Sequence, residues 1–371
     1  MRYFVLLILT LFLSGRNMEK LPERRLFVPP AFAHDSLLRT AEWINFRDTV
    51  AGDTLAVYRI PQGILQGYSR DISTGVCIDG ECRRLRITLF WTATGRYWGF
   101  VLPEGEFLSK TEHVPFKEED YRRLHEILAN PNSVLQQYRM DELITGKKEE
   151  VDGISAATLA AVKQEVVPDA VYTTYTLWHL IYGETQKEIR NYTCSRLSDQ
   201  LAAELLKSPD FEDKYWTLEN MGPKLQWSSP FRDQMAGLIL NDQGILAVQA
   251  LAAVPDSVLS REDFQNRLIS GFSQIAYLNR RKLLERLGKG IRIHTGAAHA
   301  LAAQMPQMNA ELVDLTLKLF EKQSVSDEQI AGLIASLLDH DNPFIVRKAL
   351  DYLRSKEITD KELLRKIRKA R

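Results

Sequence analysis

Two short stretches of the chain carry side chains whose types and spacing could support chemistry. The first is Cys77-Ile78-Asp79-Gly80-Glu81-Cys82. Asp-Gly is a strong two-residue hairpin signal, because the tight turn needs positive φ at both positions. With Asp79-Gly80 as the turn, Ile78 and Glu81 form the hydrogen-bonded pair beside it. Cys77 and Cys82 are then the next pair out, with Cα atoms about 4.5 Å apart, which a disulfide can span. A structural disulfide in an oxidising compartment is the first expectation. A redox-active pair is the alternative, although the spacing differs from the Cys-x-x-Cys of redox motifs. No second ligand pair stands at zinc-finger spacing, and Cys194 is left over as a buried thiol. The second stretch is Asp152-Gly153-Ile154-Ser155-Ala156-Ala157-Thr158. A loop of small residues entering a helix offers free backbone N–H groups to a phosphate. The plainer alternative is that Asp152 or Ser155 caps the following helix.

The elements that must position these stretches differ along the chain. Thr54–Ile60 alternates, and Arg84–Trp91 is rich in β-branched and aromatic residues. A turn at Gly95 then leads to Tyr97–Leu102. Two strands about such a turn predict a hairpin, and with the cysteine hairpin they predict an antiparallel sheet with one wet face. From Phe116 the period changes to that of a helix, with Tyr121, Leu124, Ile127 and Leu128 on one stripe. Asn130–Ser133 stops it, and Ser133 is placed to cap a short helix through Gln137. A helix over Leu159–Glu165 ends at Pro168. Val171–Tyr182 has aromatic spacings of three and four, which predict another helix. Its Tyr172, Tyr175 and Trp178 suit either ring stacking or a core. His113, His125 and His179 are candidate ligand contacts, although a lone histidine on a helical face is usually structural.

Beyond Leu197 the sequence reads as helical throughout. Ser260-x-x-Asp263, Ser326-x-x-Gln329 and Thr359-x-x-Glu362 place a side-chain acceptor at a helix start, and Asn342-Pro343 gives a cap followed by first-turn proline. The helices fall into pairs, from Phe231–Leu240 with Ile245–Val254 to Asp327–Leu338 with Pro343–Arg354. The segment Leu333–Leu350 resembles one unit of a HEAT or armadillo repeat. Such units bury their faces only by stacking on neighbours, and a plain helical bundle is the alternative. The basic stretch Lys361–Arg371 fits a terminal capping helix whose cations favour its C-terminal dipole.

Lys+Arg and Asp+Glu both number 48. A formally neutral chain gives no electrostatic reason to expect nucleic acid as a partner. Hydrophobic residues make up 45% and charged residues 26%, an ordinary globular balance. Arg2, the apolar run Tyr3–Leu13 and the small pair Ser14-Gly15 follow the order of a secretory signal. The run is shorter than the roughly 20 apolar residues a membrane span needs. Arg16 stands where a lipoprotein signal would carry cysteine, so a cleaved signal at residues 1–15 is favoured over a lipid anchor. An uncleaved N-terminus is the alternative.

The motif Asp152–Thr158 resembles the attachment site of FMN-binding domains, found in subunits of sodium-pumping quinone reductases and related electron-transport complexes. The family pattern is Asp, two residues, Ser or Thr, Gly, Ala, then Thr or Ser. Asp152, Ser155, Ala157 and Thr158 match it, and Ala156 stands in place of glycine. The resemblance spans roughly Leu85–Tyr182. It implies FMN joined through its phosphate to the Thr158 hydroxyl, and a redox partner protein at the membrane. Ala156 bears on this, because a Cβ is costly wherever positive φ is required. The expected architecture is α+β: a signal (1–15), a linker (16–50), an antiparallel-sheet FMN-binding-like domain (51–196) and an all-α helical-repeat region (197–371). The expected function is that of an exported flavin-carrying electron-transfer protein, periplasmic or membrane-associated. The alternative is a flavin-free exported scaffold or binding protein that uses its helical repeats to hold another protein. Gly-x-Ser-x-Gly, a Walker loop, His-Glu-x-x-His and a dinucleotide fingerprint are all absent from the sequence.

Overall fold

The computed structural model describes residues 27, 37–48, 50, 53–76, 83–110, 113–140, 142, 162–325 and 327–370. Both chemistry-bearing stretches named above, 77–82 and 152–158, lie outside the described residues, as do residues 1–15, where a secretory signal is expected. The chain divides into two compact units. The first takes in 1–58, 67–92 and 97–186. The second takes in 187–371 together with the hairpin tips 59–66 and 93–96.

The first unit is built on an antiparallel sheet of β1 (Leu38–Trp43), β2 (Thr54–Arg59), β3 (Leu65–Thr74), β4 (Leu85–Thr92) and β5 (Tyr97–Val101), in sequential order. β3 pairs with β4 from Gly67↔Thr92 to Thr74↔Leu85. The β4–β5 hairpin closes at Gly95, whose φ of 78° favours glycine, and a bulge falls between Phe90 and Trp91. Tyr68, Ile72, Ile87, Leu89, Trp91 and Phe100 are buried. The expected helix forms as α1 (Glu118–Leu128), which buries Tyr121, Leu124, Ile127 and Leu128 as its stripe requires. Ser133 caps a 3-10 turn, Val134–Gln137, by accepting the Leu135 N–H at 3.2 Å. α2 (Val171–Tyr182) packs on α1. The Trp91 indole N–H reaches the Ile181 carbonyl at 3.2 Å.

β3 has no expectation in the sequence, for a physical reason. Its centre is buried on both sides, and two of its buried residues are Ser69 and Arg70, so no apolar alternation marks it. Arg70 is 1% exposed. Its guanidinium forks onto Asp48 at 2.6 and 3.0 Å, bonds the Thr185 hydroxyl at 2.7 Å and stacks 3.8 Å from the Phe46 ring centre. A buried cation needs such partners, since leaving it unpaired costs several kcal/mol.

The helix α3 (Glu184–Ser195) begins in the first unit and runs into the second, which is helical: α4 (Asp199–Leu205), α5 (Phe211–Glu219), α6 (Ser229–Asn241), α7 (Ile245–Ala253), α8 (Glu262–Ser270), α9 (Tyr277–Leu287), α10 (Thr295–Gln304), α11 (Ala310–Lys322), α12 (Glu328–Ala335), α13 (Pro343–Arg354) and α14 (Lys361–Lys369). From α4 onward the helices form two rows. Each even-numbered helix packs on the next even-numbered one, and α5, α7, α9, α11 and α13 pack in the same serial way. The even row keeps a fixed step: α6, α8, α10, α12 and α14 begin at Ser229, Glu262, Thr295, Glu328 and Lys361, each 33 residues after the last.

Side chains join successive pairs across that step. Gln265, 1% exposed, donates to the Leu259 and Arg292 carbonyls and accepts the His294 N–H. Gln323 does the same with Leu287, Ile291 and Ile293, and Gln304 ties α10 to Ile269 and Ser273. At row ends, the Asp199 carboxylate takes the N–H groups of Gln226, Trp227 and Ser228, and Glu328 takes those of Thr359 and Asp360. These bonds satisfy the main-chain donors of the segments that lead into α6 and α14.

Three caps differ from expectation. α8 is preceded by Arg261 with no side-chain cap, and the Ser260 hydroxyl instead donates to the Asp256 carbonyl, closing the short turn before it. α12 is capped by Asp327, which accepts from Gln329 and Ile330, and Ser326 lies outside the described residues. α14 is capped by Asp360, while the Thr359 hydroxyl donates to Glu328. In the last two the cap moves one residue onto a carboxylate, a stronger acceptor than a hydroxyl. Asn342 and Pro343 occupy the expected cap and first-turn places of α13.

Candidate functional site

The first unit gathers most of the aromatic and histidine residues that the sequence singles out. The Tyr97 hydroxyl lies 2.9 Å from His125 Nδ1, and the His125 ring stacks on Phe27 at 4.5 Å. Burial, then the nearby Tyr182, pushes the Tyr97 phenol well above its ordinary pKa. Burial pulls His125 down, against a smaller opposing effect of Glu126. A protonated phenol therefore faces a neutral imidazole at neutral pH.

On α2, His179 stacks on Tyr175 at 3.9 Å and meets Trp178 edge-on at 5.0 Å. Burial lowers its pKa too, against the bond its ring makes to the Tyr175 carbonyl. Three of the large polar tips of this helix are committed to main chain. Tyr175 donates to the Tyr138 carbonyl, Trp178 to Asn130 and Tyr182 to Leu128, at 3.0, 3.0 and 2.7 Å. These rings hold α2 to the segment that leaves α1. Tyr172 is half-buried on the same helix. His113 stands apart, exposed on a turn with φ of 60°. Among the described residues, no group of three or more His, Cys, Asp or Glu is placed to hold a metal ion. Cys194 is half-buried, and burial raises its thiol pKa against the Arg190 charge.

The second unit holds a buried carboxylate with no signal in sequence. Asp213 accepts from Thr94, from Ser208 at 2.8 Å and from Arg96 at 3.1 Å. Burial pushes its carboxyl up, but the Arg96 and Thr94 hydrogen bonds, the Arg96 charge and the Ser208 bond outweigh it, leaving the pKa below its ordinary value. The cluster is closed and saturated, so it fits a structural joint.

The same unit exposes apolar side chains in a regular pattern. Its large exposed hydrophobic residues among those described are Phe211, Ile245, Tyr277, Leu278 and Phe344. Each is the first or second residue of an odd-numbered helix. Ile245 and Leu278 are 33 residues apart, and Phe344 follows at twice that step, with Glu311 at the place between. Phe211 stacks on Tyr215 at 5.7 Å, and α7 carries no charged residue. A single scattered hydrophobe needs no explanation, but recurrence at the starts of successive helices of one row makes these residues a candidate contact surface. Sequence reasoning missed it, since each residue taken alone looks like core. Only the 33-residue step of the helices sets them side by side.

No protein-family model, curated protein or solved structure matches the chain. No helix among the described residues is long and apolar enough to cross a membrane.

Proposed function

We propose that this is an exported binding or scaffold protein, whose second unit is a HEAT-type stack of helical repeats that holds a protein partner. The observation that carries the reading is the placing of all five large exposed hydrophobic residues of that unit at the starts of odd-numbered helices. The fixed 33-residue step of the even row supports the repeat assignment. In such a stack each unit buries its faces on its neighbours, so the outer ends stay free for a partner. The sequence order of Arg2, the apolar run and Ser14-Gly15 supports export. The test is quantitative affinity purification from the native host, with wild type beside an Ile245→Ser/Leu278→Ser/Phe344→Ser variant of matched helix content. A protein enriched by wild type and lost by the variant supports the reading. Equal recovery of every bound protein by both would remove this row as the binding surface.

A second reading rests on Asp152, Ser155, Ala157 and Thr158: a flavin carrier with FMN esterified to Thr158, trading electrons with a partner at the membrane. The flavin would supply the redox chemistry, and the chain would supply position and charge. Intact mass after export from a host with a flavin transferase decides it. An added FMN less one water, absent from Thr158→Ala, supports the carrier. The bare mass in both, beside a modified control acceptor, rejects it.

A further inference from the structure

The second unit holds an open cavity of about 800 Å³ between α12 and α14. The two helices run side by side in one sense. Glu328, the first residue of α12, holds the backbone that enters α14, and Lys366, late in α14, reaches Asp339 just beyond α12 at 2.6 Å. Gly332 and Ala335 of α12, with Ser336 just beyond it, line one wall, and Leu363, Arg365 and Lys369 of α14 line the other.

Gly332 is not required by the fold. It lies inside a helix, its φ is not positive, and a Cβ built there meets nothing within 4 Å. Glycine in such a place weakens the helix relative to alanine. At the matching places in the even row, one step of 33 residues away on either side, stand His299 and Arg365. The missing side chain at 332 adds free space to the wall of the groove.

The charges of the groove are uneven. Arg365 and Lys369 are exposed, one turn apart on α14, and neither has an ion-pair partner among the described residues. Lys366 is paired with Asp339. At the opposite end, Glu328 is bound to Thr359 and Asp360, Asp360 caps α14, and Glu362 stands exposed. Two free cations beside a small-residue wall suit the carboxylates of a short acidic segment that stops before Glu328 and Glu362 at the other end. They do not suit a long polyanion, whose backbone would run over Glu328 and Glu362.

We propose that the α12–α14 groove binds an acidic peptide segment of a partner protein, with carboxylates on Arg365 and Lys369 and a small apolar side chain over Gly332. This rests on reading the helix stack as a protein-binding surface and names the chemistry of the segment held. The test uses the full processed chain and a fluorescein-labelled peptide of Glu, Ala and Leu. A peptide with Lys in place of Glu, a single-stranded oligonucleotide and anionic phospholipid vesicles run beside it. Wild type is expected to bind the acidic peptide saturably, and more weakly as salt rises. Arg365→Glu/Lys369→Glu and Gly332→Leu are each expected to weaken binding at least about tenfold. Gly332→Leu should leave Tm unchanged or raised, which separates a filled groove from a damaged fold. The outer-row variant Ile245→Ser/Leu278→Ser/Phe344→Ser should bind the peptide like wild type, so loss of the outer surface and loss of the groove are read independently. No saturation up to about 1 mM peptide, equal binding of the Lys peptide, indifference to the groove variants, or tighter binding of the oligonucleotide or vesicles would each overturn the proposal.

Discussion

Replacing Gln265 by Met tests whether the joints between helix pairs hold the stack together. Met keeps the length of the side chain and fills the same space, but it cannot bond the main chain. In the wild type the Gln265 amide donates to Leu259 at 2.9 Å and Arg292 at 2.8 Å, and its carbonyl accepts from His294 at 3.0 Å. Three neutral hydrogen bonds at roughly 1 kcal/mol each give about 3 kcal/mol. Arg292 is exposed, so its carbonyl can recover a water bond, and the expected loss falls to about 2 kcal/mol. Urea unfolding followed by circular dichroism provides the measurement. Because stability in a stack is a sum of unit and interface terms, the variant is expected to lower the midpoint and to broaden or split the transition. A loss below about 0.5 kcal/mol with an unchanged slope would show that these bonds do not carry the joint.

Other outcomes follow from single groups. Asn279 is fully buried with neither side-chain atom partnered, where α11 and α13 carry Leu312 and Ile345 at the matching step. Asn279→Leu is therefore expected to raise stability by about 1–2 kcal/mol, and a lower Tm would count against the shared helix register. Asp213→Asn should cost about 2–3 kcal/mol near neutral pH, since it strips Arg96 of its buried partner. The folded-state pKa of Asp213 lies below its ordinary 3.8, so its stabilisation is present above that value and is lost as pH falls through the folded pKa. The wild-type advantage over Asp213→Asn should thus shrink in acid, and an advantage that grows there would reverse the argument. The Cys77–Cys82 expectation is checked by alkylation of the exported, denatured chain: one labelled cysteine without reductant and three with it. Three labelled cysteines in both would rule out a stable disulfide.

Much of the architecture is written in local chemistry. α1 and α2 follow from spacing alone, because their apolar stripes match their buried faces in α1 and the aromatic run sets the limits of α2. The β4–β5 hairpin follows from Gly95 between two β-rich runs. β3 is hidden because a buried Arg70 and Ser69 break its alternation; Arg70 finds its partners in distant Asp48 and Thr185, and Ser69 in Tyr58 of the neighbouring strand. β1 is hidden because nearly all of it is exposed, including Trp43 at 73%. The helix pairs can be read from apolar period and caps, but their common step cannot. It rests on buried and half-buried glutamines and on first-turn carboxylates that serve the next helix start, and these residue types give no periodic apolar signal. For the same reason the exposed row at Ile245, Leu278 and Phe344 emerges only once the helix starts are fixed.

The most direct test of the central proposal is site-specific photo-crosslinking in the native host. A photoreactive phenylalanine would replace Leu278 in one strain and Ile245 in a second. A third would carry it at Arg267, exposed on the even-row helix α8. The proposal expects one discrete adduct, with the same partner protein, from positions 245 and 278 and not from 267. Adducts that are identical at all three positions, or none at 245 and 278 in correctly folded protein, would contradict it.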